Sequence, residues 1–139
     1  EMKGVPLRVE IGPRDIADKK CVIVRRDTRE KSFVSIADLV PAVNDGLLAL
    51  RKALYEKALA NRERRTFTAS TLDELVDIAN NNNGYIKAMW CGDLECELKL
   101  KEEADVSSRC IPFGMEPIGD KCVCCGREAK KLVYWGKAY

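Results

Sequence analysis

The spacing of the cysteines constrains this chain more than any other feature. Six of the seven cysteines lie within 35 of the 139 residues. Cys91 and Cys96 form a C-x4-C pair, Cys122 and Cys125 form a C-x2-C pair with Gly126 after it, and 25 residues separate the pairs. Two such pairs are typical of tetrahedral zinc, which accepts sulfur ligands and has four of them in closed structural sites. We therefore predict a structural zinc ion bound by these four thiolates.

Several alternatives to this assignment remain open. Cys124 or Cys110 could replace one of the four ligands, although Cys110 stands alone before Pro112 and is predicted to be a packed side chain. The C-x2-C pair could be a redox site, and an iron–sulfur cluster would also accept four thiolates. An odd number of cysteines without a secretory leader argues against a disulfide framework. Cys21 lies in an apolar run and is predicted to be a buried thiol.

Composition limits the chemistry further. The chain has no histidine, which excludes Ser-His-Asp and Cys-His catalysis within it, so no catalytic residue is predicted. No run approaches the roughly 20 apolar residues of a membrane span. Residues 1–65 carry 15 Lys and Arg against 10 Asp and Glu, whereas residues 66–139 carry 9 against 12. Only the first region has the sign of charge that suits a polyanion.

The first region has the pattern of strands followed by a long helix. Alternation over residues 5–11 predicts a half-buried strand, which Gly12-Pro13 ends in a turn. Residues 21–27 and 31–34 are predicted to form two further strands. An apolar stripe of Val43, Leu47, Leu50 and Leu54 then predicts one face of a helix that starts near Pro41 and ends in the basic "NRERR" sequence at 61–65.

The second region is predicted to be a small mixture of helices and strands. Thr71 and Glu74 form a capping-box pattern before a short helix, and "NNNNG" is a turn sequence. Residues 85–90 are predicted to form a strand. Asp93 is the expected N-cap of a helix that ends near Glu103. The chain closes with a strand-like segment that is predicted to place Trp135 in the core. The boundary between the two regions is predicted within 66–84.

Several motifs, in order along the chain, resemble those of a known family. "KGVPLRVEIGPRD" at 3–15 and "VIVRRDT" at 22–28 resemble the later half of the anticodon-binding domain of prolyl-tRNA synthetase. Four further segments resemble the C-terminal zinc domain of the archaeal/eukaryote-like type of that enzyme. They are "MWCGDLECE" at 89–97, "SRCIPF" at 108–113, "KCVCCG" at 121–126 and "YWGKAY" at 134–139. In that family the cysteines at the positions of Cys91, Cys96, Cys122 and Cys125 form the metal site. Cys124 departs from the pattern of the family, in which the residue at this position is usually not a cysteine.

This resemblance implies the fold and the domain organisation. Residues 1–65 would be the C-terminal half of a class II anticodon-binding domain, an α/β remnant of strands and a long helix. Residues 66–84 would connect it to a small α+β zinc-binding domain at 85–139. The chain, which does not begin with methionine, is interpreted as a piece of a longer protein.

The resemblance also implies a function. The whole enzyme would be a cytoplasmic, homodimeric class II ligase that attaches proline to its tRNA using ATP. ATP and Mg²⁺ would bind only in a catalytic domain whose motifs are absent here, so this piece would be inactive alone. It would contribute recognition of the tRNA anticodon and a structural zinc domain that supports the catalytic domain, with Tyr139 reaching toward the active site.

Six polar residues of the first region are candidates for RNA contacts. Unpaired bases are recognised through hydrogen bonds on their edges and by stacking, and the proline anticodon contains two guanines. Glu10 could accept hydrogen bonds from a guanine and Arg14 could donate to one, while Asp15, Arg8, Arg25 and Lys31 would complete the patch. Alternatively, these side chains form only an Arg–Glu ion pair within the sheet and Arg14 holds a turn.

Two other classes of function are compatible with the residues alone. One is a free-standing, zinc-stabilised module that binds another RNA or a protein and has no aminoacylation role. The other is a thiol redox protein, which would need exposed cysteines of low pKa.

Overall fold

A computed structural model describes residues 2–114 and 116–138, so the expectation for Tyr139 lies outside the described residues. The chain forms two compact units, Glu1–Ala60 and Asn61–Tyr139. No helix in the part of the chain that the structure describes is both long and apolar enough to cross a membrane.

The first unit is an antiparallel three-stranded sheet with a long helix. The sheet has β2 in the centre, with β1 and β3 at its edges. Pro13, predicted to form a turn, instead begins a short helix, since proline is favoured at the first helical position. In chain order, the elements are β1 (Leu7–Glu10), α1 (Pro13–Ala17), β2 (Lys20–Arg25), β3 (Lys31–Ser35), a 3-10 turn (Ile36–Asp38) and α2 (Leu39–Arg64), whose last four residues are assigned to the second unit.

The predicted apolar stripe of α2 is only partly buried. Leu50 is buried, whereas Leu47 and Leu54 are 39% and 40% exposed. A 26-residue helix is about 39 Å long, whereas strands of four to six residues extend only about 13–20 Å. The sheet is therefore too short to cover the helix along its length. Cys21 is fully buried on β2, which confirms its prediction as a packed thiol.

The second unit contains a mixed four-stranded sheet. Its strand order is β4-β5-β7-β6, and only the β4–β5 pair is parallel. In chain order, its elements are β4 (Thr66–Thr68), α3 (Leu72–Asn81), β5 (Tyr85–Trp90), α4 (Leu94–Ala104), β6 (Val106–Cys110) and β7 (Lys131–Lys137). The two edge strands, β4 and β6, were not predicted because they are short and lack an apolar alternation.

Residues 66–84 form part of the second unit and contribute side chains to its core, although the sequence suggested a connecting segment. Ala69, Leu75 and Ala79 are all buried there, with Leu75 completely inaccessible. They pack in one cluster with side chains of β5 and β7, including Trp135. An amphipathic helix that supplies such a face becomes a layer of the domain rather than a linker.

Capping residues fix both helices of the second unit. The Thr71 hydroxyl accepts a hydrogen bond from the Glu74 backbone N–H, and the Glu74 carboxylate accepts one from the Thr71 N–H, both at 3.3 Å. This confirms the predicted capping box. Asp93 caps α4 by accepting from the Glu95 N–H at 3.3 Å, as predicted.

Candidate metal centre and nucleic-acid interface

The four cysteines of the two short-spaced pairs lie in one cluster. The Sγ atoms of Cys91, Cys96, Cys122 and Cys125 are all within 4.8 Å of one another. The Cys91–Cys96 and Cys91–Cys125 Sγ–Sγ distances are 3.7 and 3.9 Å. A tetrahedron with Zn–S bonds of about 2.3 Å has edges of about 3.8 Å, whereas a disulfide requires about 2.05 Å. The sulfurs are therefore spaced to enclose one metal ion.

The first pair is positioned by the β5–α4 connection. Cys91 directly follows β5 and Cys96 lies in the first turn of α4. Gly92, with φ of +93°, reverses the chain between them, a conformation that glycine adopts without the steric cost of a Cβ atom. The Asp93 cap then fixes the start of the helix, and with it the direction of the Cys96 side chain.

The second pair lies on a tight turn that is hydrogen-bonded to β5. The Val123 N–H donates to the Met89 carbonyl at 2.9 Å, and the Gly126 N–H donates to the Cys122 carbonyl, also at 2.9 Å. Gly126 has φ of +70°, the conformation expected for a glycine behind a ligating pair. Two pairs separated by 25 residues in sequence thus reach one site because the turn docks on β5, the strand that Cys91 directly follows.

Arg127 adds a positive charge to this cluster. Its Nε donates to Cys125 Sγ at 3.3 Å, and its Nη2 donates to Asp93 Oδ2 at 2.7 Å. The hydrogen bond from Arg127 lowers the pKa of Cys125 to about 6 and also lowers the pKa of Asp93. Arg127 therefore links the two halves of the site and stabilises the thiolate of its one exposed cysteine.

Burial has the opposite effect on the inner thiols. Desolvation raises the pKa of Cys91 and of Cys96, because a buried thiolate loses its hydration. A cation at the centre of the cluster compensates for that loss, since metal binding requires and stabilises deprotonated ligands. The four cysteines could hold a metal ion.

Two further cysteines of the second unit are not among these four sulfurs, although Cys124 packs against the cluster. Cys124 is half-buried, and burial raises its pKa. Cys110 was predicted to be packed, but it is exposed at the end of β6, because that strand is an edge of the sheet.

A second candidate site lies on one face of the β1–β3 sheet. Directly opposite residues share a face in antiparallel strands, and Arg8 is opposite Val24, which is opposite Lys31. Both cations reach Glu10, with Arg8 Nη2 2.6 Å from Oε1 and Lys31 Nζ 3.6 Å from Oε2. The hydrogen bond from Arg8 is the main cause of a lowered Glu10 pKa.

Cationic side chains also line a groove of about 660 Å³ in this unit. Arg25 has a bidentate contact with Asp27, with Nε–Oδ1 and Nη2–Oδ2 distances of 3.1 and 2.7 Å. The positively charged residues of the groove lining are Arg8, Arg25, Arg26, Arg29 and Lys31. Arg26 and Arg29 were not predicted from the sequence, although the four cations of "RRDTREK" were a visible signal.

Three of the predicted RNA-contacting residues, Glu10, Arg14 and Asp15, do not line the groove. Arg14 and Asp15 lie on α1, and Asp15 Oδ2 accepts a hydrogen bond from the Gly12 N–H at 2.7 Å. In contrast, an aromatic side chain that was not considered lies on the face that carries Glu10. Phe33 is opposite Val22, which is opposite Glu10, and Phe33 is 75% exposed.

Comparison with known proteins places both units in one context. The family described as "Prolyl-tRNA synthetase, C-terminal" matches residues 72–139, and that described as "Anticodon binding domain" matches residues 1–46. Over all 139 residues, the chain is 57% identical to a proline–tRNA ligase of Clostridium novyi and 55% identical to that of Lachnospira eligens. It is 52% identical to a proline–tRNA ligase 2 of Bacillus cereus.

The chain spans 29% of the length of each of these relatives. The two family matches follow one another in the order expected from the motifs, and the cysteine cluster lies within the C-terminal match. The chain therefore belongs to the prolyl-tRNA synthetase family and corresponds to its C-terminal region.

Proposed function

We propose that this chain is the tRNA-recognising and structural C-terminal part of a proline–tRNA ligase. The observation that carries the proposal is the 57% identity to such a ligase over the whole chain. The ligase would be a class II enzyme that uses ATP and Mg²⁺ in a catalytic domain outside this chain. A homodimeric assembly, a contact with that catalytic domain and a cytoplasmic location belong to the same proposal.

The basic groove and the adjoining sheet face are the proposed tRNA-binding surface. Arg8, Arg25 and Lys31, together with Arg26 and Arg29, would contact phosphates, since such contacts supply most of the affinity for nucleic acids. Glu10, held in place by two cations, would accept hydrogen bonds from a guanine edge of the anticodon.

The remaining predicted residues complete this assignment. Arg14 would donate to a second guanine, as arginine does to O6 and N7. Asp15 would support it by fixing the start of α1 through the Gly12 N–H. Phe33 would stack on an unpaired base, because an exposed ring beside hydrogen-bonding groups suits single-stranded RNA.

The cysteine cluster is the proposed zinc site. Four sulfur donors at tetrahedral spacing suit zinc, and four protein ligands complete its usual coordination number in structural sites. The role of the ion would be to stabilise the second unit, whose turn at Cys122–Cys125 contains few apolar side chains of its own. That unit would in turn support the catalytic domain.

Binding to tRNA tests the proposal directly. We expect the chain to bind a proline tRNA transcript and to lose at least about thirtyfold in affinity when both anticodon guanines are replaced by adenines, since each good base contact discriminates by about 1–3 kcal/mol and two together by at least about 2 kcal/mol. Arg26→Gln should weaken binding to both transcripts alike. Equal affinity for the two transcripts, measured by fluorescence anisotropy, would contradict anticodon recognition by this chain.

A further inference from the structure

The sheet of the second unit has one face that its helices do not use. Ile86 and Trp135, which are directly opposite each other, point into the core with α3 and α4. Side chains alternate between faces along a strand, so their neighbours Lys87 and Tyr134 point to the other face. Lys87 and Tyr134 are again directly opposite, and Tyr85 lies two residues before Lys87 on the same side.

This second face forms the floor of a groove of about 760 Å³, all of whose lining residues lie within the second unit. That volume is within the range of about 300–1,000 Å³ that holds drug-sized ligands, a class that includes a single nucleotide. The charged residues of the lining are Arg62, Lys87, Arg109 and Glu63, which gives an excess of positive charge. The excess is notable because residues 66–139 as a whole are acidic.

The aromatic side chains of the groove are held in a defined arrangement. The rings of Tyr85 and Tyr134 pack edge to face, with centroids 6.4 Å apart and an interplanar angle of 72°. Tyr85 remains 47% exposed. A ring that contacts its neighbour by an edge keeps π surface available for a planar ligand.

Gly136 brings a cation next to the Tyr85 ring. A Cβ atom at this position would lie 3.3 Å from Tyr85 Cδ1 and 3.5 Å from Arg109 Nε. The guanidinium of Arg109 donates through Nη2 to the Gly136 carbonyl at 3.0 Å. The absence of a side chain at 136 thus lets the ring and the guanidinium lie close to the same point of β7.

We propose that this groove binds an unpaired nucleotide segment of RNA, with a base stacked on Tyr85 and phosphates bound by Lys87, Arg62 and Arg109. Aromatic rings beside cations on a sheet face are the means by which proteins bind single-stranded nucleic acid. Among the described residues, Arg62 and Lys87 have no ion-pair partner in the protein, so their charges are available to a ligand. The inference rests on the proposed function, because the RNA would be the tRNA.

Binding measurements on the 139-residue chain test this groove separately from the first unit. With a proline tRNA transcript as the probe, Tyr85→Leu should weaken binding about tenfold, as expected for the loss of one stacked base. Lys87→Gln should lower the slope of log affinity against log salt concentration by about one. Lys101→Gln, an equal loss of charge on the exposed side of α4, serves as the matched control and should retain the wild-type affinity.

Two shortened probes distinguish the parts of the tRNA that could supply the unpaired segment. They are an isolated anticodon stem–loop and a transcript that lacks its three 3′-terminal nucleotides. If the Tyr85→Leu effect persists with the stem–loop, the groove binds loop nucleotides. If it disappears both with the 3′-truncated transcript and with the stem–loop, which also lacks the 3′ end, the groove binds the 3′ end, and either result supports the proposal.

The outcomes also separate this inference from the proposed function. Wild-type affinity of both Tyr85→Leu and Lys87→Gln, alongside weakened binding of Arg26→Gln, would overturn the groove while leaving recognition by the first unit intact. That result would assign the groove to a protein contact instead. Failure of the unmodified chain to bind the transcript at all would overturn the proposed function itself. Circular dichroism of each variant shows whether it is folded. If Tyr85→Leu does not fold, the surface substitution Lys87→Gln still tests the groove.

Discussion

The two units of the chain differ in how much of their apolar surface they bury themselves. Among the described residues, the first unit contributes five buried apolar or cysteine side chains and the second contributes sixteen. The first unit instead exposes twelve large apolar side chains, against six in the second. Burial of apolar surface is the main favourable term in folding. The second unit therefore buries more of its apolar side chains than the first unit does.

The largest effect is expected from the loss of one sulfur of the cysteine cluster, which should disrupt the second unit and not the first. Cys96→Ser removes a buried thiol of the proposed zinc site, and structural zinc contributes about 10–16 kcal/mol in small zinc domains. We expect the near-ultraviolet dichroism of the Trp90–Trp135 pair to disappear, while the far-ultraviolet signal of α2 persists. The control is Cys110→Ser, because Cys110 is exposed at the end of β6 and is not one of the four clustered cysteines. Native near-ultraviolet dichroism in Cys96→Ser would show that the second unit does not depend on the site.

Truncation of a core side chain tests the same difference in burial without changing the cysteine cluster. Leu75 is fully buried in α3, whereas Leu48 of α2 is 64% exposed. Leu75→Ala should lower the free energy of unfolding by about 2–5 kcal/mol, because it removes packed atoms and leaves a cavity. Leu48→Ala should change it by no more than about 0.5 kcal/mol. Urea unfolding gives both values, and equal losses would contradict the difference in burial.

A smaller effect is expected at Arg127, which contacts the cluster from outside. Arg127→Gln removes the hydrogen bonds to Cys125 Sγ and Asp93. Groups that orient metal ligands typically contribute 10- to 100-fold in metal affinity. Competition with a chromophoric chelator should show a loss of about that size, and the exposed Lys131→Gln should show none. An unchanged metal affinity would show that Arg127 forms only a surface ion pair and does not contribute to metal binding.

The smallest effect concerns the cap of α3. Thr71→Ala removes the hydroxyl that accepts from the Glu74 N–H and should lower the free energy of unfolding of the second unit by about 1 kcal/mol. Ser70→Ala is the matched control, because the capping contact of Ser70 is made by its backbone N–H. A loss as large in Ser70→Ala would point to helix propensity or solvation rather than to the cap.

Local sequence signals predicted the parts of the structure that local chemistry determines. The alternation at 85–90, the capping pair Thr71–Glu74 and the N-cap at Asp93 all depend on residues within a few positions of one another. The paired spacing of the cysteines belongs to the same class, because the two members of each pair are only a few residues apart in sequence. These features needed no knowledge of how the chain folds over longer distances.

Contacts between distant residues explain what the sequence did not reveal. Arg127 reaches Asp93, 34 positions away, only because the second turn docks on β5. The edge strands β4 and β6 form because β5 and β7 offer free backbone groups, not because of their own apolar pattern. Likewise, α3 belongs to the second unit because its apolar face meets β5 and β7 in three dimensions.

Metal content per chain is the most direct test of the central claim that the second unit contains a closed, four-thiolate zinc site. The measurement is elemental analysis of protein kept reduced throughout purification, with zinc and iron determined together. The account predicts about one zinc per chain, with no appreciable iron and with the four cluster thiols unreactive until the metal is removed. Metal-free protein with a folded second unit and reactive thiols at all four positions would contradict it.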